Sequence, residues 1–196
     1  MQNNPNYYCK FIESLSQKDG DLHLKYHNTQ YGFPIVNDNE LFCRLILEIN
    51  QAGLSWTTIL KKESTFRAAY HNFEIEKVAS YESEDIQRLL SNPGIIRNKK
   101  KIEAAIYNAN VILKLKQNFG SFHNWLVHNH PKGIKEWAQL FKSTFQFTGG
   151  EIVKEFLMSI GILEGAHNPE CPIYKKVEER KPLWLSAKEN ACHAVP

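Results

Sequence analysis

Apolar residues recur at helical spacing along most of this 196-residue chain. At about 100° per residue, Leu41, Phe42, Leu45, Ile46, Ile49 and Ala52 share one arc, which predicts an amphipathic helix with Glu48 at the arc's edge. Gly53 can take the left-handed conformation that closes a helix, and Ser55 can cap the next one. Ala52-Gly53-Leu54-Ser55 therefore predicts a tight exposed turn with a leucine at its tip. Trp56, Ile59, Leu60, Glu63, Phe66 and Tyr70 continue as a second helix, and Ser83, Ile86, Leu89 and Leu90 as a short third. Pro93 and Gly94 break that helix. Asn98 caps a longer one with Ile102, Ala105, Ile106, Ala109 and Leu113 on one face. Phe122, Trp125 and Leu126, then Ile134, Trp137, Leu140 and Phe141, predict short core-filling helices with His128 and His130 in a surface loop between them. A further helix runs from about Gly150 to Ile160, and Gly161 ends it. No stretch alternates with a period of two, so the pattern predicts an all-α, helix-on-helix protein.

The chain ends read differently. Residues 1–39 predict irregular or short elements, with a turn at Asp19-Gly20-Asp21 and one or two helical turns from Leu22 to His27. Beyond Cys171 the chain is Lys/Glu-rich with one apolar patch, Leu183-Trp184-Leu185, and the tail 186–196 is expected to fray. Residues 1–185 are expected to form one domain.

Composition narrows this picture. A hydrophobic content of 42% supplies a core, and a net charge of +3 permits an anionic partner without demanding one. No apolar run approaches the roughly 18 residues of a membrane span, and the N-terminus is polar rather than a signal peptide, so a cytoplasmic protein with no membrane partner is expected. The four cysteines then read as thiols or metal ligands rather than a disulfide framework.

Candidate chemistry sits in three places. Glu48 looks from an apolar helix face towards the interior, where a carboxylate must be paired, protonated or offered to a ligand with complementary donors. Gly94, Arg97, Lys99, Lys100 and Lys101 surround a helix start whose amides can hold a phosphate, although a plain αα-turn with a solvated basic face reads equally well. His167 and Cys171 flank a Pro-containing turn and can reach one ion. Two ligands do not complete a structural site, and Cys9 with His27 is the candidate for the missing pair. Cys43, off the main apolar arc, and Cys192 in the tail have no such partner.

The run Glu48-Ile49-Asn50-Gln51-Ala52-Gly53-Leu54-Ser55-Trp56 resembles the signature of the DNA-3-methyladenine glycosylase I family. Tyr26-His27 followed by Tyr31-Gly32-Phe33-Pro34 is similar to that family's pocket-mouth segment, and Pro93 to Ile106 to its helix-hairpin-helix. The resemblance resumes from Phe145 to Cys171. It implies a helix-hairpin-helix fold and a monofunctional enzyme that hydrolyses the N-glycosidic bond of 3-methyladenine in alkylated DNA. Glu48 would be the catalytic, base-recognising carboxylate. Tyr26, Trp56, Phe11 and Tyr31 would bind the extruded base, Gly53 and Leu54 would enter the duplex, and Gly94, Arg97, Lys99 and Lys101 would hold its backbone. One structural zinc per chain, on Cys9, His27, His167 and Cys171, would join the terminal segments. The implied partners are double-stranded alkylated DNA and free 3-methyladenine as product, with the protein a monomer. Asn50, Tyr31 and Phe11 stand where relatives often carry Gln, Trp and Trp, a Gly near Lys100 is absent, and residues 131–144 match poorly. These departures leave open a damage- or duplex-binding module of the same fold that does not excise.

Overall fold

Helix follows helix through the computed structural model, which describes residues 5–187. In chain order these are α1 (Pro5–Glu13), α2 (Gln17–Thr29), α3 (Asp38–Gln51), α4 (Trp56–Ala69), a 3₁₀ turn (His71–Phe73), α5 (Ile75–Ala79) and α6 (Ser83–Ser91). After them come α7 (Lys99–Phe119), α8 (Phe122–Asn129), α9 (Ile134–Thr144), α10 (Gly150–Ser159) and α11 (Pro172–Glu179). No strand occurs among the described residues, so the all-α expectation holds. The chain divides into two compact units, one of Met1–Ile35 with Lys154–Pro196 and the other of Val36–Val153.

The second unit is built around α3. Asn37 caps it by accepting from the Glu40 amide at 3.1 Å, and α4, α5, α7, α8 and the 3₁₀ turn pack against it. Every residue from Leu41 to Asn50 is buried, including Cys43, Arg44, Glu48 and Asn50. The single apolar arc read from the sequence is thus corrected: a helix enclosed on all sides buries its polar positions too. Arg67 of α4 ties the start of α3 down by donating to both Glu40 carboxylate oxygens at 2.8 Å. Asp38 accepts from the Phe122 and His123 amides, at 3.0 and 3.1 Å, and so caps α8. Phe42, Phe66, Phe73, Phe122, Trp137 and Phe141 are fully buried, each worth at most about 1.5–3 kcal/mol relative to exposure. His128 lies in α8 rather than in a loop, on its exposed side.

In the first unit the expected irregular N-terminus is corrected to two helices. Asp19-Gly20-Asp21 lies inside α2, where Gly20 is buried and its amide bonds the Ser16 carbonyl at 2.7 Å. Packing overrides the turn propensity of that tripeptide. The segment after Cys171 is likewise helical, with Pro172 opening α11. Ile173 and Val177 bury against Trp184 of the predicted apolar patch. Gly161, at φ +74°, closes the helix as expected, and a Cβ there would stand 3.0 Å from the Gly32 carbonyl oxygen. Ser186 and Ala187 are still helical; the rest of the expected frayed tail, with Cys192, lies outside the described residues.

Candidate metal centre and nucleic-acid interface

The first unit brings together the four residues named for the metal. Cys9 comes from α1, His27 from α2, and His167 and Cys171 from the loop before α11. One ligand atom from each lies within 4.8 Å of all the others. The loop is a β-turn in which Cys171 N–H bonds the Asn168 carbonyl at 2.8 Å, with Pro169 at its second position. Cys9 Sγ is 3.3 Å and Cys171 Sγ 3.7 Å from His27 Nε2. His167 Nδ1 is 3.1 Å from His27 Nε2 and 4.0 Å from Cys171 Sγ. Metal bonds of about 2.0–2.1 Å to nitrogen and about 2.3 Å to sulfur give tetrahedral edges of roughly 3.3–3.8 Å, and the separations of 3.1, 3.3, 3.7 and 4.0 Å lie around that range.

The outer nitrogens settle the tautomers. His167 Nε2 faces the Tyr31 carbonyl at 2.7 Å and His27 Nδ1 faces Asn28 Oδ1 at 2.7 Å, so each donates a proton outward. The inner nitrogens are then bare, with lone pairs opposed at 3.1 Å. A proton between them is disfavoured, because burial lowers the pKa of His27 and pushes His167 down to about 4. A cation resolves that repulsion, and the residues fit one. Burial raises the Cys9 thiol, so a metal would displace its proton on binding. Gly32, at φ +83°, permits the close approach that delivers the Tyr31 carbonyl: a Cβ there would lie 2.7 Å from Ala166 Cβ and 3.2 Å from His167 Cδ2. The sequence names Gly32 only as part of the pocket-mouth segment, and Asn28 not at all. A Gly beside an aromatic residue gives no sign that a metal ligand lies 135 residues later.

Beside the centre, Phe11, Tyr26 and Tyr31 belong to one aromatic cluster. Tyr8, which the sequence did not flag, stands at its hub, 6.4, 6.3 and 5.2 Å from their ring centres. Its hydroxyl is 3.0 Å from Nδ1 of the fully buried His23.

In the second unit, α3 ends where expected. Gly53 takes φ +84°, and a Cβ there would meet nothing within 4 Å, so conformation rather than space requires the glycine. Leu54 is 39% exposed at the tip. Ser55 caps α4, accepting from the Thr58 amide at 3.3 Å, and Trp56 is the first residue of α4. Glu48, in the last turn of α3, is only 4% exposed.

The hairpin between α6 and α7 is clamped from α4. Lys62 Nζ donates to the Pro93 carbonyl at 2.8 Å and Thr65 Oγ1 to the Gly94 carbonyl at 2.6 Å. A Cβ on Gly94 would sit 3.0 Å from Thr65 Cβ. Asn98 caps α7, accepting from the Lys101 amide at 3.2 Å. Among the described residues, no hydrogen bond engages the amides of Ile96, Arg97, Lys99 or Lys100, and Arg97, Lys99 and Lys100 are exposed. Lys101 departs from the expectation of a surface phosphate contact. It is 6% exposed, and its ammonium donates to the carbonyls of Asn50 and Ala52 at 3.0 and 2.8 Å. A buried ammonium must find acceptors, and the end of α3 supplies them.

Among the described residues no helix is long and apolar enough to cross a membrane. A profile of methyladenine glycosylases matches residues 16–139. DNA-3-methyladenine glycosylase 1 of Escherichia coli strain K12 is 34% identical, over 78% of this chain and 91% of its own. The DNA-3-methyladenine glycosylase of Haemophilus influenzae is 31% identical, over 77% and 91%. A crystal structure of a 3-methyladenine DNA glycosylase I in complex with 3-methyladenine superposes with TM-score 0.75 at 32% identity, over 85% of this chain and 97% of that one. The Staphylococcus aureus enzyme gives 0.70 at 33% identity, over 78% and 90%. The matched profile spans α2 to most of α9, the stretch that holds α3, the Leu54 turn and the hairpin, and the chain belongs to the methyladenine glycosylase family.

Proposed function

We propose that this chain is a DNA-3-methyladenine glycosylase of base-excision repair, which hydrolyses the N-glycosidic bond of 3-methyladenine in alkylated duplex DNA after extruding the base. The observation that carries this is Glu48, a carboxylate 4% exposed in the last turn of an enclosed helix, just before the exposed Leu54 turn, in a chain of this family. An ionised carboxylate only accepts hydrogen bonds. It therefore favours a base that presents an amino group, and its charge favours the cationic ring of an N3-alkylated adenine. That base leaves as a neutral purine, so little proton donation is needed and extrusion with recognition supplies most of the rate.

The other roles follow from chemistry. Trp56, Phe11, Tyr26 and Tyr31 each carry a π-face of the kind that an electron-poor base stacks on. Leu54 fills the gap left in the duplex, on a turn that Gly53 makes possible. Gly94, Arg97 and Lys99, with the amides at the start of α7, hold the DNA backbone in a helix-hairpin-helix. One zinc ion per chain, held by Cys9, His27, His167 and Cys171, is structural, because four protein ligands leave no position for water. The product is free 3-methyladenine, and the protein acts as a cytoplasmic monomer.

The test is release of free 3-methyladenine from methylated duplex DNA under single-turnover conditions. Glu48→Gln places amide donors against the base's amino edge and should lose most of the excision while keeping duplex affinity. Wild-type protein that binds such DNA and releases no base would overturn the reading in favour of the non-excising module. Excision indifferent to Glu48→Gln would move the recognition to another residue.

A further inference from the structure

The first turn of α7 carries Lys99, Lys100 and Lys101 and no acidic residue, a charge arrangement that a helix N-terminus disfavours. Lys99 and Lys100 are exposed to solvent, and Lys99 also faces Glu103 at 3.8 Å. Lys101, buried, answers it with the carbonyls of Asn50 and Ala52, at the negative end of the α3 dipole. Its own amide is held by Asn98, by the side chain at 3.2 Å and the carbonyl at 3.1 Å. One residue is thus fixed at its backbone by the cap of α7 and at its tip by the end of α3.

The chain leaves that anchor directly into Gly53 and Leu54. The bonds from Leu54 N–H to the Gln51 carbonyl, 2.7 Å, and from Gln51 Nε2 to the Leu54 carbonyl, 3.4 Å, are local and travel with the turn. The Lys101 bonds come from another element and tie the near side of the turn to the start of α7, while the Lys62 and Thr65 bonds from α4 hold the hairpin from its far side.

We propose that Lys101 is a positioning residue for base extrusion, whose ammonium holds the Leu54 turn in register with the start of α7, so that backbone docking and wedge entry are coupled. This rests on the reading of Leu54 as the wedge and of the hairpin as the phosphate site. It differs from a phosphate contact in what each predicts. Lys101→Met keeps the aliphatic stem and removes the donors. The salt dependence of duplex binding should then be unchanged, while single-turnover excision at saturating protein falls about tenfold, equivalent to about 1.4 kcal/mol of barrier. In a double-mutant cycle the losses from Lys101→Met and Leu54→Ala should not add, because both act through one turn.

A salt slope reduced by about one unit, with a loss additive to that of Leu54→Ala, would make Lys101 a phosphate ligand and overturn the proposal. Lys99→Glu, which should lower the slope, calibrates that measurement. Impaired Leu54→Ala with wild-type excision by Lys101→Met overturns the proposal alone, as does a lowered melting temperature with excision intact. Leu54→Ala at the wild-type rate overturns the wedge reading and the proposal with it. If Lys101→Met does not fold, Lys101→Arg carries the test: its broader head group displaces the turn without removing charge, so excision should fall at an unchanged salt slope, and wild-type excision would overturn the proposal.

Discussion

Stripping zinc from Cys9, His27, His167 and Cys171 is the perturbation expected to cost the first unit most. The facing imidazoles of His27 and His167 are 140 residues apart in sequence, so the ion closes a long loop. On the chain-entropy treatment of a cross-link, a loop of that length is worth about 5 kcal/mol. That is a large share of the roughly 5–15 kcal/mol by which a domain is stable. The inner nitrogens left opposed at 3.1 Å repel each other, and only weak thiol donors at 3.3 and 3.7 Å from His27 Nε2 stand against that. For a chain of this size each kcal/mol moves the melting temperature by about 2–4 °C, so chelation should lower it by roughly 10–20 °C. The assay is metal content by mass spectrometry with thermal melts of wild type, Cys171→Ala and Cys192→Ala, before and after a strong chelator. About one zinc per chain is expected in wild type and Cys192→Ala, with Cys171→Ala melting near the stripped wild type. Protein that holds no metal, or melts unchanged when stripped, refutes the clasp.

The two left-handed glycines should separate conformation from contact: Gly53→Ala, with open space around it, should cost about 1–2 kcal/mol by denaturant titration, whereas Gly32→Ala, facing Ala166 and His167, should cost more and lower zinc content. Glu40 gives a pH signature. The Arg67 guanidinium beside it holds its carboxyl below the usual Glu range, so its contribution to stability is fully present above the unfolded value and is lost as pH falls through the native one. Glu40→Gln should flatten the acid limb of the stability curve and leave the neutral region parallel to wild type; an unchanged acid limb would show that this ion pair contributes nothing to it.

The Leu54 turn was legible because each local signal agreed with the next: an apolar period before it, a glycine that must be left-handed, and a serine cap after it. The metal set was legible as residue types, but the spacing of His167 and Cys171 could not by itself choose Cys9 and His27; the family resemblance did, and the fold brings the four together. Of the N-terminal helices only the turns from Leu22 to His27 were legible, because a tripeptide rich in Asp and Gly reads as a turn until packing is known. Lys101 was misplaced for a different reason. In a run of lysines the charges look alike, and only their register against Ala105, Asn108 and Ile112, all buried, marks Lys101 as the one facing inward. The face read from Ile102 to Leu113 was rotated by about one position from that.

The division of the chain has a consequence for its synthesis. The second unit is continuous in sequence, whereas the first is assembled from both ends. During translation Cys9 and His27 emerge long before His167, and at about 5–20 residues per second the intervening 140 residues take roughly 7–30 seconds. For that interval a nascent chain can already bury α3 among its neighbours while carrying a thiol and an imidazole with no closing ligands. Chains that stop short of Cys171 would keep the hairpin and the Leu54 turn yet never complete the metal site. On the proposed zinc clasp, metal supply bears on the last step of biogenesis and leaves the earlier ones untouched.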